Sequence, residues 1–193
     1  MLLNDRRILA HGESFPLIDP FDPKMVQPAS YELHLGEGIV EMVSDVTEGR
    51  DFQCGPLDVT NKIACQEAFY PKKVAYGRTF YVGPGDFLLV TTKEKVWLPD
   101  DLAARVEGKS SLGRVGLAIH TTAGWIDPGF KGTITLELSN LSKRTLELTV
   151  GMKIAQLAFF DMGEPALHPY GHESLGNAYQ NQDGVTGSAG TRG

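Results

Sequence analysis

Polar and apolar residues alternate along many short stretches of this chain and seldom recur at the spacing of an amphipathic helix. The clearest stretch is Thr133-Ile-Thr-Leu-Glu-Leu-Ser139, which reads as a half-buried strand. Ile134, Leu136 and Leu138 fall on one face, and Thr133, Thr135, Glu137 and Ser139 on the other. Residues 145–150 alternate in the same way, and residues 140–144 read as the turn of a hairpin joining the two strands. Further strands are predicted at 30–35, 78–82, 86–98, 103–107, 117–122, 133–140 and 153–160. One short helix is predicted over residues 5–10, with Asn4 as its N-cap and Gly12 as its stop. With 22 glycines and 11 prolines punctuating these runs, the pattern predicts a mainly β protein. An antiparallel sandwich, jelly roll or barrel with few short helices is the architecture it supports.

The 193 residues suffice for one domain with a sizeable core. A formal net charge of −6 argues against a protein that coats the backbone of a nucleic-acid polymer, which needs a basic face. It leaves room for one small phosphorylated ligand held by a few local cations. Apolar runs such as Phe87-Leu-Leu-Val90 are far too short to cross a bilayer, so no membrane association is expected. The opening MLLNDRRILAHGE places charges where a secretory leader needs apolar residues, and a cytoplasmic location is the expectation. Cys54 and Cys65, eleven residues apart, read as two reduced thiols. From Gly171 onward the chain turns polar and rich in Gly, Ser, Asn and Gln. Two readings stand for that segment: a disordered terminus, or a tail carrying Tyr179, Gln180 and Gln182 that orders over a ligand.

Gly108-Lys109-Ser110 suggests a phosphate loop, but Ala103 stands where a P-loop needs its first glycine, and the βαβ context is missing. A zinc-dependent deaminase site fails as well. His11-Gly-Glu13 matches its first element, but neither cysteine has a partner at the spacing of the second. No protein-bound zinc is therefore expected, and no nucleophile elbow occurs.

Between Lys109 and Asn140 polar chemistry is concentrated. Lys109 and Arg114 flank Ser110 and Ser111, so a phosphate between them could take charge-assisted hydrogen bonds. Ser110 or Ser111 could cap a helical turn running through Arg114. The loop His120-Thr-Thr-Ala-Gly-Trp-Ile-Asp-Pro-Gly-Phe130 adds an acid and two aromatic rings. Glu137 follows on its strand, where it either lies on a solvated face or points into a site.

Gly108-Lys-Ser-Ser-Leu-Gly-Arg114, Thr121-Thr-Ala-Gly-Trp-Ile-Asp-Pro-Gly-Phe130 and Thr135-Leu-Glu137 resemble the signature segments of dCTP deaminases, within the trimeric dUTPase superfamily. The resemblance continues through Leu3-Asn-Asp-Arg6, Gln27-Pro-Ala-Ser30, Pro99-Asp-Asp-Leu-Ala103, Gly151-Met-Lys-Ile-Ala-Gln156 and His168-Pro-Tyr-Gly171. It implies a distorted β-barrel or jelly roll of the dUTPase-like type over residues 1–170, with residues 171–193 a flexible tail that closes over the nucleotide. It further implies a homotrimer with active sites between subunits, acting on dCTP and dUTP, with Mg²⁺ carried on the triphosphate.

By motif match, Lys109, Ser110, Ser111, Leu112, Gly113 and Arg114 hold the triphosphate and line the reaction centre. Thr135, Leu136 and Glu137 face the base, Gln156 and Tyr170 contact the nucleotide, Asp127 sits at the deoxyribose, and Gln182 closes over the phosphates. Removing the cytosine 4-amino group with water needs a group that takes a proton from water and returns protons to N3 and the leaving ammonia, and Glu137 is the candidate. The resemblance gives Ser110 and the Ala123 carbonyl the task of placing the water, and Arg114 that of holding Glu137 and stabilising developing charge. Gly113 and Ala123-Gly-Trp-Ile-Asp127 look like the branch that also cleaves dUTP to dUMP and diphosphate, with Asp127 helping to activate a second water. Readings that stop at dUTP, that act only as a dUTP diphosphatase, or that sense nucleotides without catalysis stay open. One departure is Ala178, where many members of the family carry a lysine before the tail tyrosine.

Overall fold

The computed structural model describes residues 1–14, 17–42, 57–120 and 122–189. Three α-helices, α1 (Asp5–Ser14), α2 (Lys62–Glu67) and α3 (Ser110–Gly113), are interspersed among twelve strands in these residues. The strands are β1 (Ile18–Asp19), β2 (Val26–Gln27), β3 (Ser30–Met42), β4 (Phe69–Lys73), β5 (Thr79–Val82) and β6 (Phe87–Trp97). They continue with β7 (Leu102–Gly108), β8 (Leu117–Ile119), β9 (Trp125–Ile126), β10 (Lys131–Asn140), β11 (Leu146–Thr149) and β12 (Lys153–Asp161). The protein is mainly β, as the alternation predicts.

Ten strands form one curled antiparallel sheet in the order β8-β10-β6-β3-β12-β7-β9, with β1 added to β6 and both β2 and β4 to β3. The curl brings its two ends together, since a Cβ placed on Gly108 of β7 would stand 3.7 Å from Ile119 of β8. The concave side holds one core, including Leu33, Leu35, Val90, Leu157 and Phe159, together with the Ile134, Leu136 and Leu138 stripe. Burying these side chains removes apolar surface from water, which is the main favourable contribution to folding.

Three local expectations are corrected. The hairpin between the two alternating strands does not form: β10 pairs with β6 and β8, while β11 pairs with β5 in a separate two-stranded sheet. Asn140, 1% exposed, redirects the chain between the sheets. Its amide donates to the carbonyls of Val82 and Arg144, both at 2.8 Å, and its Oδ1 accepts from the Ser142 amide at 2.9 Å and hydroxyl at 2.7 Å. Helix α1 starts as predicted, with Asn4 Oδ1 accepting from the Arg7 amide at 3.1 Å, but it runs through Gly12. That glycine is a point of close approach, because a Cβ there would lie 2.3 Å from the Phe21 ring. Likewise β3 continues past Gly36 to Met42. At Gly36 a Cβ would press to within 2.8 Å of the Thr92 carbonyl, at the irregular register where β3 crosses β6.

The remaining strand predictions agree to within a residue or two, apart from β8, which stops at Ile119 because His120 takes a left-handed backbone (φ 51°). Thr121 and Cys54 lie outside the described residues. Cys65 is a buried thiol on α2. No helix among the described residues is long and apolar enough to cross a membrane.

Candidate active site

The outward face of β10 forms the floor of a cavity of about 440 Å³. Strand alternation puts Thr135 and Glu137 on that face while Leu136, fully buried, faces the core, so of Leu136 only the backbone is available to a ligand. The walls come from His120, Ala123 and Trp125 through Asp127 on one side, and from Phe69, Phe87 and Leu89 on another. Tyr170, Tyr179, Gln182 and Thr186 close the remainder.

Glu137 is half-buried there. Its Oε2 accepts a hydrogen bond from Thr122 Oγ1 at 2.6 Å, and its carbonyl accepts from the His120 amide at 2.7 Å. Among the described residues its Oε1 takes no hydrogen bond. The left-handed turn at His120 folds the loop back on itself, so that the imidazole Nε2 lies 2.9 Å from the Ala123 carbonyl. A carbonyl oxygen carries two lone pairs, so that contact leaves one for a further donor. Trp125 Nε1 donates to Asp127 Oδ1 at 3.1 Å, fixing the acid at the cavity wall, and the Trp125 ring lies against Phe160.

The segment after Gly176 packs along β10 of its own chain. Gln182 pairs with Gly132 in a parallel bridge and its side-chain amide donates to the Thr133 carbonyl. Thr133 Oγ1 exchanges hydrogen bonds with Gly184, and the Thr186 amide donates to Thr135 Oγ1 at 3.1 Å. Among the described residues, buried Gln182 Oε1 and buried His120 Nδ1 find no hydrogen-bond partner.

A second, polar hollow of about 310 Å³ lies elsewhere on the chain, lined by Gln27, Ser30, Glu32, Lys109, Ser110, Ser111 and Gln156. Helix α3 supplies the two serines, yet neither caps it: Lys109 occupies the N-cap position without a side-chain bond to the backbone. The Lys109 ammonium is engaged with Glu32 Oε1, and Lys153 takes Glu32 Oε2. Burial pushes the Glu32 carboxyl up, but the hydrogen bonds and charges of the two lysines outweigh it and hold the group below its ordinary range. Gln156 is fixed from both ends, donating to the Gly108 carbonyl at 3.2 Å and accepting from Ser30 Oγ at 2.9 Å.

The candidates thus fall into two groups within one chain. Ala123, Asp127, Thr135, Glu137, Tyr170 and Gln182 line the first cavity, and Lys109, Ser110, Ser111 and Gln156 the second. Leu112, Gly113 and Arg114 line neither; Leu112 packs on the core and Arg114 is exposed at the end of α3. Glu137 is therefore held by Thr122 and not by Arg114 of the same chain. Thr122 and Glu32 were not legible as site residues. Thr122 is one hydroxyl in a polar loop, and Glu32 meets its lysines across 77 and 121 positions of sequence, beyond any local pattern.

The outer face of the curled sheet thus carries two carboxylates, Glu137 and Asp127, in an aromatic-walled cavity. Residues 2–162 match the family model described as dCTP deaminase-like, and the chain belongs to that family. A Streptomyces coelicolor protein named dCTP deaminase, dUMP-forming, is 46% identical over 97% of this chain and 94% of its own length. Proteins of the same name from Corynebacterium efficiens and Kocuria rhizophila are 45% and 44% identical, over 98% and 97% of this chain and 94% of their own lengths. A crystal structure of 2'-deoxycytidine 5'-triphosphate deaminase from Agrobacterium tumefaciens matches the fold with a TM-score of 0.61 at 23% identity. That match covers 82% of this chain and 48% of the other.

Proposed function

We propose that this protein hydrolyses the 4-amino group of dCTP to give dUTP and ammonia, and then hydrolyses dUTP to dUMP and diphosphate. The observation that carries the first step is Glu137: a half-buried carboxylate with one oxygen fixed by Thr122 and the other open to the cavity. In this reading Oε1 takes a proton from the water that attacks C4. Glu137 passes that proton to N3, then takes the proton of the new C4 hydroxyl and gives it to the amino nitrogen, so that the tetrahedral carbon collapses to the C4 carbonyl with loss of ammonia. The second lone pair of the Ala123 carbonyl orients the water, and Ser110 completes its hydrogen bonding.

Family membership and the names of the relatives support the second step, for which Asp127, held by Trp125, activates a water toward the α-phosphate. Lys109, Ser110 and Ser111 grip the triphosphate, and Mg²⁺ rides on its oxygens, offsetting part of their charge. Thr135, Gln156, Tyr170 and Gln182 contact the nucleotide, with residues 171–193 acting as its cover. The two groups of residues complete one site when the Lys109–Arg114 segment of one subunit meets the Glu137 cavity of another. A homotrimer in the cytoplasm, working without protein-bound zinc, is the corresponding assembly.

Incubation with dCTP and Mg²⁺, followed by chromatographic separation of products, tests this. The expected products are dUMP, diphosphate and ammonia. Accumulation of dUTP limits the activity to deamination, and unchanged dCTP overturns the reading.

A further inference from the structure

We propose that Glu32 is a positioning residue for the triphosphate, an assignment that rests on Lys109 gripping the phosphates. A carboxylate in the wall of an anion site is at first sight unfavourable, since it repels the ligand. The local charge count resolves this. Glu32 is 8% exposed and each of its oxygens is taken by a different ammonium, Lys109 on one and Lys153 on the other, so the cluster carries a net charge of one positive unit. Without the carboxylate the two ammonium groups would repel each other. Lys109, on a flexible four-carbon stem, would also lose the contact that keeps it over the Ser110–Ser111 turn.

The topology makes the arrangement rigid. Glu32 sits on β3, which is paired with β12 opposite Gln156. Gln156 in turn lies opposite Glu107 of β7, two residues before Lys109. Three neighbouring strands thus fix the carboxylate, the lysine and the glutamine that bonds the Gly108 carbonyl. The two cations differ in placement: Lys109, 21% exposed, lines the hollow, while Lys153, 44% exposed, does not. Lys153 cancels the charge of Glu32, and Lys109 is left to face the ligand.

Steady-state kinetics of Glu32→Gln test the assignment. Loss of one charge-assisted contact to the phosphates is expected to raise KM for dCTP about tenfold to a hundredfold, with a smaller change in kcat. The inhibition constant of deoxycytidine, which has no phosphate, is expected to stay unchanged; a general loss of structure would weaken both ligands together. The double variant Glu32→Gln/Lys153→Gln restores the wild-type net charge but not the anchor, so its KM should stay raised. Lys153→Gln alone, altered at a position 44% exposed, should also raise KM because Glu32 then cancels the charge of Lys109 and the cluster carries no net positive charge. A wild-type KM in Glu32→Gln, or recovery of it in the double variant, overturns the proposal. Inorganic tripolyphosphate titrated calorimetrically into wild type and Glu32→Gln reads the same anchor without turnover. Tighter or equal binding by the variant counts against Glu32. Lack of dCTP turnover by wild type counts instead against the activity.

Discussion

Thr122 Oγ1 donates to Glu137 Oε2 at 2.6 Å, so the loop that follows the left-handed His120 turn sets the orientation of the carboxylate on β10. A hydroxyl on one oxygen biases the proton-accepting role toward the other. Thr122→Val keeps the shape and removes the donor; a hydrogen bond to a charged group contributes about 1.5–3 kcal/mol. Deamination should slow by about tenfold to a hundredfold, with KM for dCTP little changed. Glu137→Gln should abolish deamination while nucleotide binding stays measurable. Turnover by Glu137→Gln in a product assay would remove Glu137 from its role.

The separation of Arg114 from the Glu137 cavity within one chain makes subunit sharing testable. Arg114→Ala and Glu137→Gln should each be inactive alone. Mixed and reassembled, they should regain part of the wild-type rate, because some interfaces then carry both native residues. Failure to regain activity, with mixed oligomers demonstrated by mass spectrometry, would place the whole site in one chain.

The lysines that hold Glu32 below its ordinary pKa of 4.5 make it a contributor to stability that depends on pH. Because the folded-state value is the lower one, the contribution is complete above about pH 5 and is lost as pH falls through 4.5 and the folded value. Melting curves between pH 7 and pH 3 should therefore fall less steeply for Glu32→Gln than for wild type. Identical slopes would show that the pair carries no net linkage.

Asn140 holds the connection between two sheets with four hydrogen bonds while nearly excluded from water. Asn140→Ala strands the Val82 carbonyl in the interior, and a loss of about 2–4 kcal/mol is expected. Urea unfolding should show a lower midpoint with an unchanged slope. A midpoint within error of wild type would mean that water replaces the amide at no cost.

The alternation of β10 was legible from the chain alone, because a strand buried on one face leaves a period of two in its sequence. The same pattern separated Leu136 from Glu137, and the N-cap at Asn4 followed from local chemistry. Strand partners were not legible. The hairpin expected between residues 133–140 and 145–150 failed because nothing local shows that Asn140 reaches Val82, 58 positions away, and turns the chain into a second sheet. Gly12 and Gly36 read as breaks, whereas each is a place where Phe21 or Thr92 comes too close for a side chain.

The sequence by itself determined the mainly β class, the outward position of Glu137 and the cluster of phosphate-type residues from Lys109 to Arg114. Local periodicity and residue chemistry are sufficient for those. The tertiary structure decided that Thr122, not Arg114, holds Glu137 within the chain, and that Glu32 gathers two lysines from distant strands. It also placed Lys109, Ser110 and Ser111 at one hollow and Ala123, Asp127, Thr135 and Glu137 at another, with Leu112, Gly113 and Arg114 at neither. These are consequences of strand order in a curled sheet, which depends on the burial of the whole core.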